Sequence, residues 1–447
     1  MLQTIRNAWK IKDIRKKLIY TFIALVIVRI GCQLPIPGVN GDAIKQFFSQ
    51  QTSLGFFDAL TGGSFTTMSI FALNITPYIT SSIIMQLLTI AIPKLEEMQK
   101  DGEDGRKKIA EYTRYVTVAL AVIESVAMAI GFGNSGYLDG GLTFAGVVMV
   151  AVSLTAGSAF LMWLGERITE KGVGNGISII LLINIISRIP ADISTLYKKF
   201  VDIESSGNVV NSILAAAIIL AVIVAMVVFI IFLQDGERRI PVQYAKKVQG
   251  RKMVGGQTSS IPLKVNTAGV IPVIFAGSLL QFPIIIASLF GTNPASGAGA
   301  SLGQKILKIM NQQAWCNFSS FGEFKYTLGL VVYIALLIFF AYFYTSITFN
   351  PIEISNNMKK QGGFIPGIRP GKPTTDYLTK VLNNIILIGA IGLTIVAVVP
   401  IFFSGAFGAD VSFSGTSLII IVGVVLETMK QIESQMLVRH YKGFLND

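Results

Sequence analysis

Apolar residues fall in long blocks along this chain, and polar residues gather between them. A helix that crosses a bilayer needs about 20 mostly apolar residues. Ten blocks come near that length, with cores at 18–34, 75–92, 115–130, 144–164, 177–189, 213–233, 270–290, 326–347, 381–403 and 418–437. The pattern predicts an all-α polytopic membrane protein with ten transmembrane helices. The second, fifth and seventh blocks are short or broken by Pro, Gly or Asn, so their signal is the least regular. The first block follows a basic stretch running from Arg6 to Lys17, with no small-residue cleavage site after it. It reads as the first membrane helix, not as a removable signal.

Charge adds orientation. Charged residues make up 14% of the 447 residues, against about 25% in soluble domains. Ten crossings leave both termini on one side. Most of the 37 Lys and Arg lie in the terminal segments and in the loops after blocks two, four, six and eight. The positive-inside rule then makes both termini cytoplasmic. Two of these loops, 235–264 and 350–380, are long, basic and punctuated by Gly and Pro. Connections between packed helices commonly take about 2–8 residues. Anchoring against anionic lipid explains the charge but not the length. A docking surface for a large acidic or RNA-rich partner explains both.

Several chemistries drop out. A single histidine, His440, and two cysteines, Cys32 and Cys316, are too few for a His/Cys metal centre or a histidine triad. No metal or cofactor is expected, and the cysteines read as two unpaired thiols. There is no P-loop signature, so energy must come from a partner or from the membrane potential. Arg29 and Glu124 fall inside apolar blocks, where ionisable groups mark function by default. The favoured reading puts both near helix ends, snorkelling to the interface.

The external segment 31–74 is moderately apolar, yet its runs are too short to span. Two readings stand: a segment folded back between helices, where protein surrounds its backbone, or an amphipathic segment on the outer surface. A weak internal echo accompanies it. Pro77, Ile79 and Gln86 repeat the spacing of Pro272, Ile274 and Gln281, each preceded by an asparagine, Asn74 or Asn266. Two halves of five helices, 1–200 and 201–447, would place these elements at equivalent positions pointing in opposite directions. Chance is the competing account. A proline within a span would bend it, so the pair is expected to mark two bent helices.

The runs Asn74-Ile-Thr-Pro-Tyr-Ile-Thr-Ser-Ser-Ile-Ile-Met-Gln86, Gly172-Val-Gly-Asn-Gly-Ile-Ser178, Pro262-Leu-Lys-Val-Asn-Thr-Ala-Gly-Val-Ile-Pro-Val-Ile274, Gly363-Phe-Ile-Pro-Gly-Ile-Arg-Pro-Gly371 and Gly415-Thr-Ser-Leu-Ile-Ile420 resemble the SecY family, the channel subunits of the bacterial Sec translocon. The resemblance implies an hourglass pore between two inverted five-helix halves. It implies a ring of apolar side chains at the waist, here Ile75, Ile79, Ile177, Leu181, Ile274 and Ile420. Leu181 stands where the family often has isoleucine. A plug at about 57–70, with Phe57, Leu60, Gly62, Gly63, Phe65 and Met68, would close the pore from outside. Asn74, at its junction with the second helix, stands where glycine is common. A lateral gate would run between the second and seventh helices, which carry Gln86 and Gln281. The basic loops would receive the SecA motor ATPase or the ribosome through Arg369, then Arg251 and Lys252. SecE and SecG would be small membrane partners, and signal peptides and nascent chains the substrates. The implied location is the bacterial plasma membrane. A secondary transporter would share the broken helices but would place polar ligands at the midplane. An intramembrane enzyme would need paired catalytic groups within spans, and none is evident.

Overall fold

A computed structural model describes residues 2–41, 44, 61–134, 136–138, 141–197, 209–244, 247–249, 252–254, 258–289, 301–312, 315–316, 324–407 and 415–443. Short α1 (Leu2–Lys10) leads in. Helices then occupy all ten expected positions: α2 (Lys12–Gly31), α3 (Thr76–Ala91), α5 (Glu103–Asn134), α6 (Phe144–Lys171), α7 (Gly176–Leu196), α8 (Val209–Asp235), α9 (Ile271–Leu289), α11 (Leu328–Thr348), α13 (Lys372–Phe407) and α14 (Gly415–Gly443). Between them lie α4 (Pro93–Lys100), α10 (Leu302–Met310) and α12 (Pro351–Lys360). Among the described residues, five helices are individually long and apolar enough to cross a membrane. Counting the pair α3–α4, bent by 101°, as one span brings the number to six, and α7 and α9 contribute the shorter apolar stretches Gly176–Ala191 and Ile271–Gln281. The chain is a multi-pass membrane protein.

The helices pair in the same order twice. α3 packs on α5, α5 on α6, α6 on α7, and α2 lies against both α6 and α7. In the second set α9 packs on α11, α11 on α13, α13 on α14, and α8 lies against both α13 and α14. Five crossings separate corresponding helices, so an alternating chain runs them in opposite directions. The two sets meet where α9 touches α5 and where α14 touches α7.

The prolines act differently from expectation. Pro77 lies in the first turn of α3, and Pro272 is the second residue of α9. A first-turn proline loses no helical hydrogen bond and its fixed φ suits the helix. These prolines therefore start helices where bends had been expected. The sharp bend comes at Ile92, just before Pro93.

The stretch 292–323, rich in Gly, Ser and Asn, reads from the sequence as an external surface loop. Its α10 is surface-exposed, with Leu302 and Ile306 open to the outside, but its described residues 311–312 and 315–316 are buried. Trp315 is fully buried in the core of the second set, with its ring centroid 5.7 Å from that of Tyr333. The indole Nε1 donates to the Ile309 carbonyl at 2.7 Å, which satisfies its one polar atom. Trp315→Ala is expected to cost about 3–5 kcal/mol. Thermal aggregation in detergent should begin at a clearly lower temperature than for Trp9→Ala, which alters a half-exposed side chain.

The two long basic loops form one structure. β1 (Glu237–Tyr244) pairs antiparallel with β4 (Thr258–Lys264), with Ile240 opposite Ile261. β5 (Gly363–Phe364), from the second loop, adds to the other edge of β1, giving the order β4-β1-β5. A smaller hairpin joins β2 (Lys247–Gln249) to β3 (Lys252–Val254). These strands add a small extramembrane sheet to an otherwise helical chain. Alternation of Ile240 and Val242 with exposed neighbours puts both on one face. There they pack with Leu263, Met358, Ile365, Leu378 and Ile385, which fastens the sheet to α12 and α13.

Candidate pore constriction and docking surface

Two tight turns set the positions of the ring residues. In the first, Gly172–Gly176, Gly174 adopts φ +80°. Asn175 then caps α7, its side chain accepting from the Ile177 and Ser178 amides at 3.1 and 3.4 Å. Thr21 of α2 and Thr169 of α6 accept from the Val173 and Gly176 amides. The turn is thereby tied to two neighbouring helices, and α7 starts with Ile177 as its second residue. In the second turn, buried Asn74 takes φ +52° immediately before α3. Glycine enters this left-handed region without steric cost, and asparagine is among the few other residues that tolerate it. That explains how asparagine serves at this left-handed position.

All six candidate ring residues fall in one apolar cluster. Ile75, Leu181, Ile274 and Ile420 are buried members, and Ile79 and Ile177 are half-buried and packed against it. They come from the start of α3, the first turns of α7, the start of α9 and the start of α14. Buried Val28, Leu161 and Ile180 support the cluster from behind.

The segment preceding α3 folds back between the helices over its described part. Phe65, Met68, Ala72 and Leu73 are buried against α5 and α6 in a second cluster, and Phe71 reaches the ring cluster. Phe71 also stacks on Phe160, with centroids 5.9 Å apart. Backbone pairing ties the segment to the end of α2, with the Ile36 amide donating to the Met68 carbonyl at 3.0 Å. Gly62 and Gly63 adopt φ +68° and +87°. Phe57 and Leu60 lie outside the described residues. Gly157 of α6 lets the segment approach closely, since a methyl there would overlap the Ile70 carbonyl. Gly157→Ala is expected to loosen the segment. Maleimide labelling of a Thr66→Cys probe should become several-fold faster, in line with the about 1–3 kcal/mol typical of overpacking. An unchanged rate would show that the close approach is dispensable.

Gln281 is fully buried on α9 with its Oε1 unpartnered, and Gln86 is half-buried on α3. The two helices approach, with Ile83 of α3 packed on the cluster that contains Phe275 and Leu280 of α9. The snorkelling expectations fail. Glu124 sits half-buried in the interior of α5, well away from either end. Arg29 is in the last turn of α2, but its Nη1 turns inward to the Gly62 carbonyl at 3.5 Å and to Asn184 Oδ1 at 3.4 Å. Asn184 and Arg188 were not singled out from sequence. Their signal was their spacing from Ile177 and Leu181 at helical intervals in the broken fifth block. Cys32 and Cys316 are free and buried.

Arg369 is exposed on the turn between β5 and α13. Gly367 and Gly371, at φ +83° and +103°, flank it. Ile365 and Ile368 pack inward on the sheet, and Thr374 Oγ1 donates to the Arg369 carbonyl at 2.8 Å. The turn is thus rigid, and its guanidinium faces outward. Lys264, Lys359, Lys372 and Lys380 are exposed on the elements around it. Arg251 lies outside the described residues. Lys252 is the first residue of β3.

A SecY family model matches residues 69–429, which includes every ring residue and Arg369. The chain belongs to the SecY family. It is 44% identical to the protein translocase subunit SecY of Halalkalibacterium halodurans over 456 aligned positions, covering all of both chains. Identity to the Bacillus subtilis subunit of the same name is 43%, again over both full lengths. Among solved structures, a SecY channel whose plug domain stabilises the closed state superposes with a TM-score of 0.61 at 20% identity, over 95% of this chain and 93% of that one. The channel of the canine Sec61–ribosome complex superposes with a TM-score of 0.60 at 17% identity, over the same shares. These distant structures show that the fold is shared.

Proposed function

We infer that the chain forms the central protein-conducting channel of a bacterial translocase, passing unfolded secretory polypeptides across the plasma membrane and releasing apolar segments sideways into lipid. The observation that carries this is the convergence of Ile75, Ile79, Ile177, Leu181, Ile274 and Ile420 from four helices into one apolar cluster, which this reading takes as the constriction. Such a collar gates by dewetting, and an ion entering it gains no replacement for its hydration shell. Branched aliphatic side chains bind no particular residue tightly. The collar therefore seals around a moving chain without arresting it. A small-solute transporter needs polar ligands at this depth, and the constriction offers none.

The halves divide near residue 200, and the plug comprises about 57–70. The gate opens between α3 and α9, where Gln86 and Gln281 line the seam. Both termini and the β4-β1-β5 sheet face the cytoplasm. Arg369, with Arg251 and Lys252, meets the SecA motor or the ribosome by charge. Relatives of this fold are bound to ribosomes in the canine Sec61 and yeast Ssh1 complexes, which supports a ribosome as a partner here. SecE and SecG complete the assembly. The chain itself is a conduit and not an enzyme, and the motor spends the ATP.

A photo-crosslinking residue at Ile79 tests the reading. With a precursor halted midway, it should label the precursor heavily, whereas a probe at lipid-facing Phe22 should label it weakly. Equal labelling at both sites would remove the constriction from the path.

A further inference from the structure

The short helix α10 has no part in the function above, yet its sequence, Leu-Gly-Gln-Lys-Ile-Leu-Lys-Ile-Met, is sharply two-sided. Leu302, Ile306, Ile309 and Met310 follow at i, i+4, i+7 and i+8, which is one helical face, while Gln304, Lys305 and Lys308 lie to the other side. A capping box starts the helix. Ser301 Oγ accepts from the Gln304 amide at 3.3 Å, and Gln304 Oε1 accepts from the Ser301 amide at 3.0 Å. The apolar face is only partly used by the protein. Met310 packs on the core of the second set, but Leu302 and Ile306 are 80% and 56% exposed.

The level of α10 follows from its far end. A methyl on Gly329, in the first turn of α11, would overlap the Ile309 carbonyl. Lys308 Nζ sits 4.7 Å over the ring of Tyr326, in the short 3-10 turn Phe324–Thr327 that leads into α11. α10 therefore lies where the membrane helix α11 begins, beside its exposed apolar residues Leu328, Val331 and Val332. Charge points the same way. From 291 to 322 the chain carries Lys305 and Lys308 and no acidic residue.

We propose that α10 is an interfacial anchor in the outer leaflet, with Leu302 and Ile306 among the acyl chains and Lys305 and Lys308 at the phosphates of anionic phospholipid. The proposal rests on the topology that makes 292–323 external. Helices of this kind bind by buried apolar area plus attraction to anionic lipid. Lysine stems can follow apolar surface while their ammonium groups stay at the headgroups. So short a helix would hold lipid weakly alone, but its fixed place beside α11 makes the contact intramolecular in effect. α10 also packs against α9, one wall of the proposed gate, so the anchor ties that wall to lipid.

The test uses the channel with its partner subunits in phosphatidylcholine vesicles, with or without phosphatidylglycerol. A Gly303→Cys variant carries an NBD fluorophore, where a Cβ meets nothing nearer than Ser301 Oγ at 3.8 Å. A lipid with a spin label just below its headgroup should quench the probe several-fold more than aqueous iodide does. Phosphatidylglycerol should raise the lipid quenching by about twofold. Adding Lys305→Gln and Lys308→Gln should abolish that rise, and adding Leu302→Gln and Ile306→Gln, at exposed positions, should reverse the order of the two quenchers. Stronger quenching by iodide in the unmodified background would overturn the anchor. Indifference to phosphatidylglycerol or to the glutamine variants would do the same, and so would shielding from both quenchers, which would mean that protein covers this face. Dithionite added outside right-side-out vesicles separates the anchor from the topology beneath it. If the probe escapes bleaching while lipid still quenches it, the helix lies in the inner leaflet, and the topology falls together with the outer-leaflet anchor. If the probe bleaches but iodide quenches it more than lipid does, the anchor alone falls.

Discussion

Ile79→Asn combined with Ile177→Asn is expected to make the resting channel leak ions, by on the order of ten- to a hundredfold. Each new amide offers an ion or a water a hydrogen-bonding partner where none existed, an effect of about 1–3 kcal/mol per group. The two sites are chosen because both side chains are half-buried at the edge of the cluster. Asparagine there keeps access to water and spares the fold. The same change at Ile75 or Ile420, both fully buried, would add the cost of an unsatisfied polar group and confuse leakage with unfolding. Ion flux into vesicles, measured without precursor, reads the effect directly. A tight channel carrying both asparagines would mean that the seal lies elsewhere.

Arg369→Glu is expected to weaken association with the motor or the ribosome by roughly tenfold or more, chiefly through slower encounter. The turn is held rigid by Ile365, Ile368 and the Thr374 bond to the Arg369 carbonyl. Charge reversal therefore alters what the surface presents without moving it. The wild-type affinity should fall as salt rises, since exposed charges are screened within about 10 Å at 0.1 M ionic strength. The variant's affinity should respond less. Lys10→Glu, on α1 at the far terminus, provides a charge-matched control. Binding to vesicles by sedimentation settles the matter, and equal binding of Arg369→Glu and Lys10→Glu variants would remove the turn from the docking face.

The apolar blocks revealed helix positions well because lipid demands long runs, and the structure places a helix at each. Ends were less legible. α5, α13 and α14 continue well past their apolar runs, since a helix can proceed into water on charged residues without changing its hydropathy signature. The first-turn prolines misled because a proline's effect depends on its place in the helix, and sequence periodicity does not fix that place. The sheet was hidden for a different reason. β5 is only two residues long and pairs with a strand more than a hundred positions earlier, so no local pattern announces it. Trp315 sat among Gly, Ser and Asn, which disguised a core residue as loop.

The ring was legible only through the family runs. Isoleucine is an ordinary packing residue, and nothing local distinguishes Ile274 from Ile284. What the structure adds is the meeting of helix starts from both sets, produced by the capped turn at Asn175 and the left-handed turn at Asn74. Arg29 shows the complementary case. It was visible as a charge in an apolar block, but its partners, the Gly62 carbonyl and Asn184 Oδ1, emerge only when 61–75 folds back between the helices.

The central claim is that this chain conducts polypeptides. The chain, with its small partner subunits, is reconstituted in vesicles with SecA, ATP and a secretory precursor, and protease-protected product is scored. The account predicts protected full-length product that requires ATP and falls several-fold with Arg369→Glu. Absence of protected product from correctly folded, motor-binding channels, alongside uptake of a small solute by the same vesicles, would contradict it.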